Sequence, residues 1–425
     1  MKRVRKIWES ELSGFHKHIT HNAYAVPVII PTFGLLDWTK DEIEQIDIKT
    51  RKTLCMIGSF HRNSDVDRLY VQRKKGGRGL KSIQIAYETK IISIRQHITQ
   101  NVKQNKYIEC ARANEEGKLV RVARELLQQA GITDDPNASP RTMSQRYLQR
   151  VLKTKFETFE NKQLHGYVQR KISSDEKVDQ NTSKEWLTNR FTSSHFEAYA
   201  CAIQEGEIGT KDLIYRRSRK NNVPVKHDNK CRLCKSQVED IAHVISSCPK
   251  MSSRYYLPMR HDIIAKYVYE KVRRDHNKEC NIKYDADEFI VSDGDHEYWW
   301  NVSVKTPAGV PHNKPDLIMW NCSTKNCYVI EFSCPNDMNV SKKVQEKEDH
   351  YGPLIRAMNI MYPDYKFVFV PIVVGALGTV PKELLGNIEL LGFSENESKQ
   401  MIRFLQQKSI IGTVKITKTF LSFKI

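Results

Sequence analysis

Apolar residues recur at helical spacing in the first half of the chain. After Thr39, acidic residues come first, basic residues lie towards the end, and Ile43, Ile46 and Leu54 help form one apolar face. This pattern predicts a helix with Thr39 as its N-cap. The same criteria predict a basic helix in SQRYLQRVLKTKFETF and a further helix around Trp186 to Ile203.

The last third of the chain alternates predicted helices with predicted strands. YYLPMRHDIIAKYVYEKV has helical spacing, and the strand-like segments YWWNVSVKT, PDLIMW and CYVIEFSC follow it. The polar NCSTKN between the last two strands is typical of a hairpin turn. VSKKVQEKEDHYGPLIRAMNIMY predicts a helix interrupted or kinked near Gly352-Pro353, and KFVFVPIVVGAL predicts a strand buried on both faces.

Changes in composition divide the chain into four predicted segments. Residues 1–130 form a helical N-terminal region, which the breaker TDDPNASPRT separates from a helical, basic linker region at 131–228. Residues 229–252 hold a compact cysteine motif, and residues 253–425 form an α/β region. The predicted fold class is therefore α+β and multidomain.

The net positive charge of the chain favours a negatively charged partner. Its 425 residues carry a formal net charge of +18, which favours a polyanion because bound cations neutralise phosphates and release counterions. Nucleic acid is the first candidate, an anionic membrane surface the second, and a merely basic soluble protein the alternative. The apolar run AYAVPVIIPTFGLL is broken by Pro27 and Pro31, so we expect neither a signal peptide nor a membrane-spanning helix.

Two basic stretches are candidates for contact with nucleic acid. QRKKGGRGL is glycine-rich but lacks the Gly-Lys-Ser/Thr ending of a phosphate-binding loop, so a tight structural turn is favoured over a phosphate contact. Arg216, Arg217, Arg219 and Lys220 form a dense basic run before the cysteine motif. Such a run is usually a solvated face. Its position beside the motif makes nucleic-acid binding the alternative.

The spacing of one histidine and three cysteines predicts a metal site. Cys231, Cys234, His243 and Cys248 follow the pattern Cys-x2-Cys-x8-His-x4-Cys. Two cysteines on one turn and two ligands on a following short helix complete a tetrahedron of three sulfurs and one nitrogen. Without a secretory signal, such cysteines favour metal over disulfides. A closed site of this kind predicts structural Zn²⁺, with accidental spacing as the alternative.

Two acids stand at the edges of predicted strands, Asp316 in PDLIMW and Glu331 in CYVIEFSC. Two carboxylates that share a site repel each other unless a divalent cation neutralises them, and Mg²⁺ prefers such oxygen ligands. Taken alone, a turn cap at Asp316 and an edge-strand carboxylate at Glu331 are the simpler interpretation. The flanking strands, a lysine-bearing helix and the adjacent cysteine motif favour a shared Mg²⁺ site.

The arrangement of these acids resembles the PD-(D/E)xK nuclease fold, which implies an α/β nuclease-like domain at the C-terminus. Asp316 corresponds to the Asp of the PD pair and Glu331 to the second acid. The position two after Glu331 is Ser333 rather than lysine. The lysine of an active site would therefore come from the following helix, which offers Lys342, Lys343 and Lys347.

More of the chain resembles one family, the polyproteins of site-specific non-LTR retrotransposons that carry a restriction-like endonuclease. The similarity lies in EDIAHVISSCP with the RHD of Arg260 to Asp262, in EKEDHYGPL, and in the N-terminal AYAVPVIIPTFGLLDWTKDEIEQID and SDVDRLYVQRKKGGRGL. The N-terminal third is similar to the thumb region that follows the polymerase. In this family a catalytic lysine precedes a tyrosine by one turn, which corresponds to Lys347 and Tyr351, with Lys343 as the alternative.

The resemblance implies a Mg²⁺-dependent DNA endonuclease that nicks target DNA for target-primed reverse transcription in the nucleus. Asp316 and Glu331 would bind Mg²⁺. Lys347 would assist the nucleophile or the transition state. Arg260 and His261 would contact DNA or stabilise the fold. DNA and the RNA of the element would be the partners, with no membrane.

One departure from the family limits the expected activity. The polymerase of the family has a Tyr/Phe-x-Asp-Asp box, which this chain lacks. The sequence therefore looks like the C-terminal part of such a polyprotein, and no reverse transcriptase activity is expected of it. A catalytically inactive remnant that only binds nucleic acid is the main alternative, and a scaffold with coincidental acids is the third interpretation.

Overall fold

The computed structural model describes residues 1–101, 117–188, 190, 192–224, 228–276, 289–307 and 309–423. They form two compact units. Unit 1 comprises Met1–Tyr167 and Leu187–Glu205, and unit 2 comprises Val168–Trp186 and Gly206–Ile425. The α+β class is confirmed, because helices occur together with a five-stranded mixed sheet. The boundaries of the four predicted segments stay predictions.

Helices dominate the part of the chain that the structure describes. In chain order they are α1 (Lys2–Glu9), α2 (Gly14–Thr20), α3 (Lys40–Met56), α4 (Val66–Tyr70), α5 (Ile83–Gln100), α6 (Lys118–Gln129), α7 (Pro140–Asn161), α8 (Tyr167–Ser173), α9 (Ser194–Gln204), α10 (Lys211–Lys220), α11 (Asp262–His276), α12 (Val340–Met361), α13 (Leu384–Glu389) and α14 (Glu395–Ser422). Among the described residues, every helix lacks the length or the apolar character needed to cross a bilayer.

Helix α3 begins where the sequence predicts. Thr39 Oγ1 accepts a hydrogen bond from the Glu42 backbone N–H (3.2 Å), and the Glu42 carboxylate accepts one from the Thr39 backbone N–H (2.9 Å). This reciprocal capping box satisfies two backbone donors that a helix start leaves unpaired. Ile43 and Leu54 are buried, and Ile46 packs partly buried against the same unit's core. The predicted apolar face is confirmed.

The predicted helix from Trp186 to Ile203 is correct only in its second half. Trp186 lies in a short 3-10 segment, Thr182–Thr188. Helix α9 begins at Ser194, where the Ser193 side chain accepts a hydrogen bond from the Phe196 backbone N–H (3.3 Å). The serine cap therefore fixes the start of the helix. The predicted basic helix is α7, which begins at Pro140.

The glycine-rich loop of unit 1 is fixed by buried ion pairs. Arg73 and Arg78 are both buried, and both guanidinium groups contact the carboxylate of Glu197 (Arg78 Nε to Glu197 Oε2, 3.3 Å). A Cβ at Gly77 would lie only 2.1 Å from the Val71 carbonyl oxygen, so the turn excludes any larger residue there. The two arginines stabilise the fold, and in this conformation they are not available to a phosphate backbone.

Removing the shared acid of this ion-pair cluster should destabilise unit 1. In Glu197→Ala two buried guanidinium groups lose their partner, which costs about 3–5 kcal/mol of unfolding free energy. Glu9→Ala is the matched control, because Glu9 is exposed and pairs with Arg5 at 3.8 Å; it should change stability by about 0.5 kcal/mol or less. Urea unfolding followed by circular dichroism measures both. Equal stability of the two variants would contradict the structural role of Glu197.

Unit 2 contains the mixed sheet. Its strands, which occur in spatial order β1-β2-β3-β4-β5, are β1 (Phe289–Asp293), β2 (His296–Trp300), β3 (Leu317–Asn321), β4 (Asn326–Ser333) and β5 (Lys366–Val373). The first four pair antiparallel, and β5 pairs parallel to β4 through the crossover helix α12. The hairpin between β3 and β4 and the helix that leads to the last strand are confirmed, but four strands rather than the predicted three precede that helix.

Three details of the sheet differ from the sequence-based expectation. Strand β1 was not predicted. The predicted strand YWWNVSVKT ends early, at Trp300, because Asn301 takes a left-handed backbone conformation (φ 53°) that an extended strand does not allow. Helix α12 is not interrupted at Gly352-Pro353 but continues from Val340 to Met361 with Pro353 inside it.

Both faces of the sheet are covered. Side chains alternate along β3, so that Leu317 and Met319 join one core cluster with α11, α13 and α14, whereas Ile318 and Trp320 join another with α12. The two acids lie at one end of this sandwich. Asp316 directly precedes β3, and Glu331 lies in β4.

Candidate functional site

The four predicted metal ligands lie together in unit 2. One ligand atom from each of Cys231, Cys234, His243 and Cys248 lies within 4.8 Å of all the others. The Sγ atoms of Cys231 and Cys248 are 3.9 Å apart, and Cys234 Sγ is 3.5 Å from His243 Nε2. Bonds of about 2.3 Å from sulfur to a tetrahedral zinc ion place neighbouring sulfurs about 3.8 Å apart. The cluster could therefore hold a metal such as zinc.

Contacts around the cluster orient its histidine. His243 Nδ1 lies 2.8 Å from the side-chain oxygen of Gln237, and its backbone N–H donates to Asp240 Oδ1 (2.7 Å). An Nδ1–H that donates to Gln237 leaves Nε2, which faces Cys234, with a free lone pair for a metal ion. Arg232 and the fully buried Glu239 brace the first turn through two hydrogen bonds of 2.7 and 3.0 Å.

The thiols of the cluster differ in acidity. Burial alone raises the pKa of Cys234, but hydrogen bonds from the Ser236 side chain and from the backbone of Gln237 and Ser236 lower it to about 6. Burial raises the pKa of Cys248 to about 12. Since metal ligands are thiolates, Cys234 is close to its binding form at neutral pH, and Cys248 releases a proton when a metal ion binds.

Loss of one ligand should abolish stable metal binding. The purified chain is expected to hold one zinc ion, and Cys248→Ser should lose it because three ligands and a neutral hydroxyl do not close the site. Cys322→Ser is the matched control, because Cys322 is exposed and lies outside the cluster. Elemental analysis after gel filtration measures the zinc content. Full zinc occupancy in Cys248→Ser would reject the assigned ligand set.

The Gln237 side chain should contribute to affinity without contacting the ion. Gln237→Ala removes the partner of His243 Nδ1, and loss of such a supporting hydrogen bond typically weakens metal affinity about 10–100-fold. Competition with a chromophoric chelator measures the affinity. Ser247→Ala, which removes only a hydrogen bond to the Ala242 carbonyl (3.3 Å), is the control; if both variants lose affinity equally, Gln237 does not orient the ligand.

The two predicted acids are also brought together. The Asp316 backbone N–H donates to Glu331 Oε2 (3.2 Å), and the Phe332 backbone N–H donates to Asp316 Oδ2 (2.8 Å). The strand register explains the contact. Leu317, the first residue of β3, pairs with Ile330 in β4, so the residue before Leu317 and the residue after Ile330, Asp316 and Glu331, face each other. Glu331 is buried, whereas the Asp316 side chain keeps about a fifth of its surface exposed (21%).

One of the three candidate lysines contacts this acid pair. Lys347 Nζ lies in direct contact with Glu331 Oε1. Lys343 Nζ is instead bonded to Glu346 Oε2 (2.9 Å), and Lys342 Nζ lies 3.9 Å from Glu346 Oε1. Helix α12 therefore presents Lys347, and not the other two, to the acids.

The pKa of Glu331 shows that ionising both acids of this pair is unfavourable. Burial raises the pKa of Glu331, the neighbouring Asp316 carboxylate raises it further, and the Lys347 ammonium opposes both effects. Like charges this close are unfavourable without a compensating cation. The Lys347 ammonium beside Glu331 is the compensating charge that the structure shows, and a metal ion between the carboxylates stays a prediction.

His261 belongs to the acid cluster, a role that the sequence did not reveal. Its Nε2 lies 3.1 Å from Asp316 Oδ2, and its Nδ1 lies 3.0 Å from Asp262 Oδ1. Burial lowers the pKa of His261, but the hydrogen bonds to the two carboxylates outweigh it and raise the pKa to about 10. Both ring nitrogens are thus occupied, and the imidazolium is a second fixed cation beside Asp316 rather than a free contact for DNA.

Of the two roles considered for Arg260, its surroundings support stabilising the fold, because the residue is buried with 1% of its surface exposed and is not available to nucleic acid in this conformation. Its Nη2 donates to the Ile245 carbonyl oxygen (2.7 Å), and its Nη1 donates to Thr413 Oγ1 (3.0 Å). The guanidinium carbon also lies 5.1 Å from the centre of the Tyr256 ring. Arg260 therefore joins the turn that carries the metal ligands to helix α14.

The predicted basic run lies mostly on helix α10. Arg216 Nε donates to Asp212 Oδ2 (2.7 Å), Arg217 contacts Glu207, and Arg219 stacks 5.9 Å from the Tyr215 ring. The Arg216 and Arg217 side chains nevertheless remain nearly half exposed, and Lys220 ends the helix. Residues 225–227, further along the same basic stretch of sequence, lie outside the described residues. Nucleic-acid binding by Arg216, Arg217, Arg219 and Lys220 stays a prediction.

No protein-family model matches the chain, and no curated protein matches it. The resemblance to retrotransposon polyproteins therefore stays a prediction.

Proposed function

We propose that unit 2 is a Mg²⁺-dependent DNA endonuclease. The observation that carries the proposal is the convergence of Asp316, Glu331 and Lys347, which come from the edges of two paired strands and from the helix that follows them. Paired carboxylates can hold a metal ion that activates water, and a nearby cation can stabilise the charge that develops on a phosphate. The excess positive charge of the chain suits a nucleic-acid substrate.

Each residue has a separate role in this proposal. Asp316 and Glu331 hold Mg²⁺, which when bound supplies a Lewis acid and lowers the pKa of a bound water. The Phe332 N–H and His261 fix the Asp316 carboxylate from two sides. Lys347 orients the attacking water or stabilises the charge that develops on the phosphate. Ser333 plays no part in charge stabilisation, since the cation comes from α12.

The two metal sites have different roles in the proposal. The Cys231, Cys234, His243 and Cys248 cluster holds a structural Zn²⁺, because four protein ligands leave no open position for a substrate. Arg260 joins the backbone of this cluster to α14. The zinc-binding segment therefore supports the nuclease and does not perform its chemistry.

The biological setting is the part of the proposal that depends on the sequence resemblance. The chain would be a fragment of a non-LTR retrotransposon polyprotein, acting in the nucleus. Its nick in one strand of target DNA would supply the 3′ end that primes reverse transcription by a polymerase outside this chain. The RNA of the element would be a second partner, and the half-exposed arginines of α10 would help to hold nucleic acid.

Nicking should require both the metal ion and the acid pair. The full chain is expected to nick supercoiled plasmid with Mg²⁺ and not when Mg²⁺ is left out. Asp316→Asn and Lys347→Ala should each lower the rate at least about 100-fold, because each removes charge stabilisation from the transition state. Agarose gel electrophoresis measures the conversion to open circles. Asp349→Asn is the control, an exposed acid on the same helix as Lys347, and should keep the wild-type rate.

The alternatives predict different results in the same assay. Equal nicking by wild type and Asp316→Asn would reject the assigned site. DNA binding without any nicking by the wild type would favour the inactive remnant.

A further inference from the structure

Helices α5 and α7 of unit 1 line a groove of about 490 Å³. Its lining residues on α5 recur at helical spacing from the N-cap, Ser82, to Ser93, and those on α7 are Ser144, Leu148 and Leu152. Residues three and four apart share one face of a helix, so two helix faces form the walls over about 12 to 16 Å. The proposed nuclease residues lie in unit 2, so the groove has no part in that chemistry.

Other faces of the two helices hold them together. Ile91 and Ile92 of α5 pack with Met143 and Tyr147 of α7 in one buried cluster. The Tyr147 hydroxyl also donates to Glu88 Oε2 (2.9 Å). None of these residues lines the groove. The groove faces are therefore free to contact a ligand without loss of the packing between the helices.

The walls of the groove present mainly apolar surface. The polar groups among them have partners: the Asn22 amide donates to the Gly79 carbonyl (2.8 Å) and accepts from the Lys81 backbone N–H (2.9 Å), and Thr89 Oγ1 donates to the Ile85 carbonyl (2.6 Å). Ligand sites are typically concave and mostly apolar, with a few polar groups that fix orientation. The groove has this character.

The charge of the groove indicates the sign of its ligand. Lys81 and Lys90 line it, and no acidic residue does. Within the part of the chain that the structure describes, neither ammonium group pairs with a carboxylate. Two cations beside an apolar surface are complementary to a ligand that carries both apolar groups and carboxylates.

We infer that this groove binds an amphipathic helix of a partner protein, with apolar residues three and four apart and acidic residues beside them. A groove between two helix faces is a recurrent site for such a helix, and its length matches about 8 to 11 helical residues. Leu148 and Leu152 stay partly exposed, so a fatty acid would remain half in water. A bound helix instead turns its polar face outward. The inference does not depend on the proposed nuclease.

A designed peptide tests the inference by binding to the full chain. The probe is a fluorescein-labelled helical peptide of about 14 residues, with leucines along one face and glutamates on both sides of that face. One comparison peptide has the same residues in scrambled order, and the other has lysines in place of the glutamates. Fluorescence anisotropy should show that the probe binds at least about tenfold more tightly than either comparison peptide.

The apolar contact is tested by Leu148→Ser/Leu152→Ser. This variant should weaken binding of the probe at least about tenfold, because apolar anchors dominate binding of a helix in a groove. The matched control is Leu35→Ser/Leu36→Ser, which alters two exposed leucines of the same unit outside the groove and should change the Kd less than about twofold. Circular dichroism confirms that both variants are folded.

The charge contact is tested by Lys81→Glu/Lys90→Glu. This variant should reverse the preference, so that the lysine peptide binds more tightly than the glutamate probe. Its matched control, Lys49→Glu/Lys52→Glu, makes the same change of charge at two exposed lysines of α3 and should keep the preference of the wild type. Because neither groove ammonium has a partner to lose, this variant stays informative if the leucine variant does not fold.

Several results would overturn the inference. They are equal affinity for the probe and the scrambled peptide, equal effects of the groove variants and their controls, or an unchanged preference in Lys81→Glu/Lys90→Glu. Displacement of the probe by equimolar dodecanoate would indicate a small amphiphile instead. A loss of DNA affinity in Leu148→Ser/Leu152→Ser as large as the loss of probe affinity would indicate a nucleic-acid surface instead. All of these results are independent of whether unit 2 nicks DNA.

Discussion

The repulsion between Asp316 and Glu331 is the constraint on which the architecture of unit 2 depends. Two carboxylates at the edge of a covered sheet need positive charge and hydrogen-bond donors from every element around them. Helix α12 supplies Lys347, and His261 comes from the position directly before α11. The backbone N–H groups of Asp316, directly before β3, and of Phe332 in β4 supply the hydrogen bonds. These groups hold the acids close together, and the arrangement remains open at Asp316.

The crossover helix α12 performs several tasks along its length. Lys347 in its middle contacts Glu331, and Leu354 and Met358 further on pack against the sheet. One rigid element thus fixes the position of Lys347 relative to the acid pair. A charged group on a helix that packs against the core is positioned more precisely than one on a loop.

The sequence predicted which candidate residues lie together better than it predicted the fold around them, and the reason is the range of the interactions. The ligands Cys231 to Cys248 lie within 18 consecutive residues, and a short hairpin joins the strands beside Asp316 and Glu331, so local spacing was enough. For Arg260 the sequence left a DNA contact and a role in the fold as alternatives, because its partner Thr413 is 153 residues away. A cation is exposed by default, and only the tertiary structure reveals such an exception.

Helix α14 is buried along a face that contains polar residues, which a search for apolar periodicity does not detect. Its buried face includes Ser409, Thr413 and Thr417 as well as apolar residues. Ser409 Oγ donates to the Gly375 carbonyl oxygen (2.8 Å), and Thr413 Oγ1 donates to the Ala376 carbonyl oxygen (2.6 Å). These hydroxyl groups provide hydrogen bonds for backbone carbonyl groups in the loop after β5. As polar residues, they also interrupt the apolar periodicity by which a buried helix is recognised. Strand β1, only five residues long and half exposed, gave an equally weak pattern.

The contact between α14 and Arg260 determines how far unit 2 can be shortened. Gly412 lets the chain pass so closely that a Cβ there would lie 2.3 Å from the Met259 carbonyl oxygen, and Phe420 packs in the same cluster as Cys231 and Cys248. A fragment that ended at the last strand would remove Thr413, one of the two hydrogen-bond acceptors of the buried Arg260, and would uncover the metal ligands. The sheet that carries the acids is therefore not a separable module, and the smallest autonomous piece extends to the end of α14.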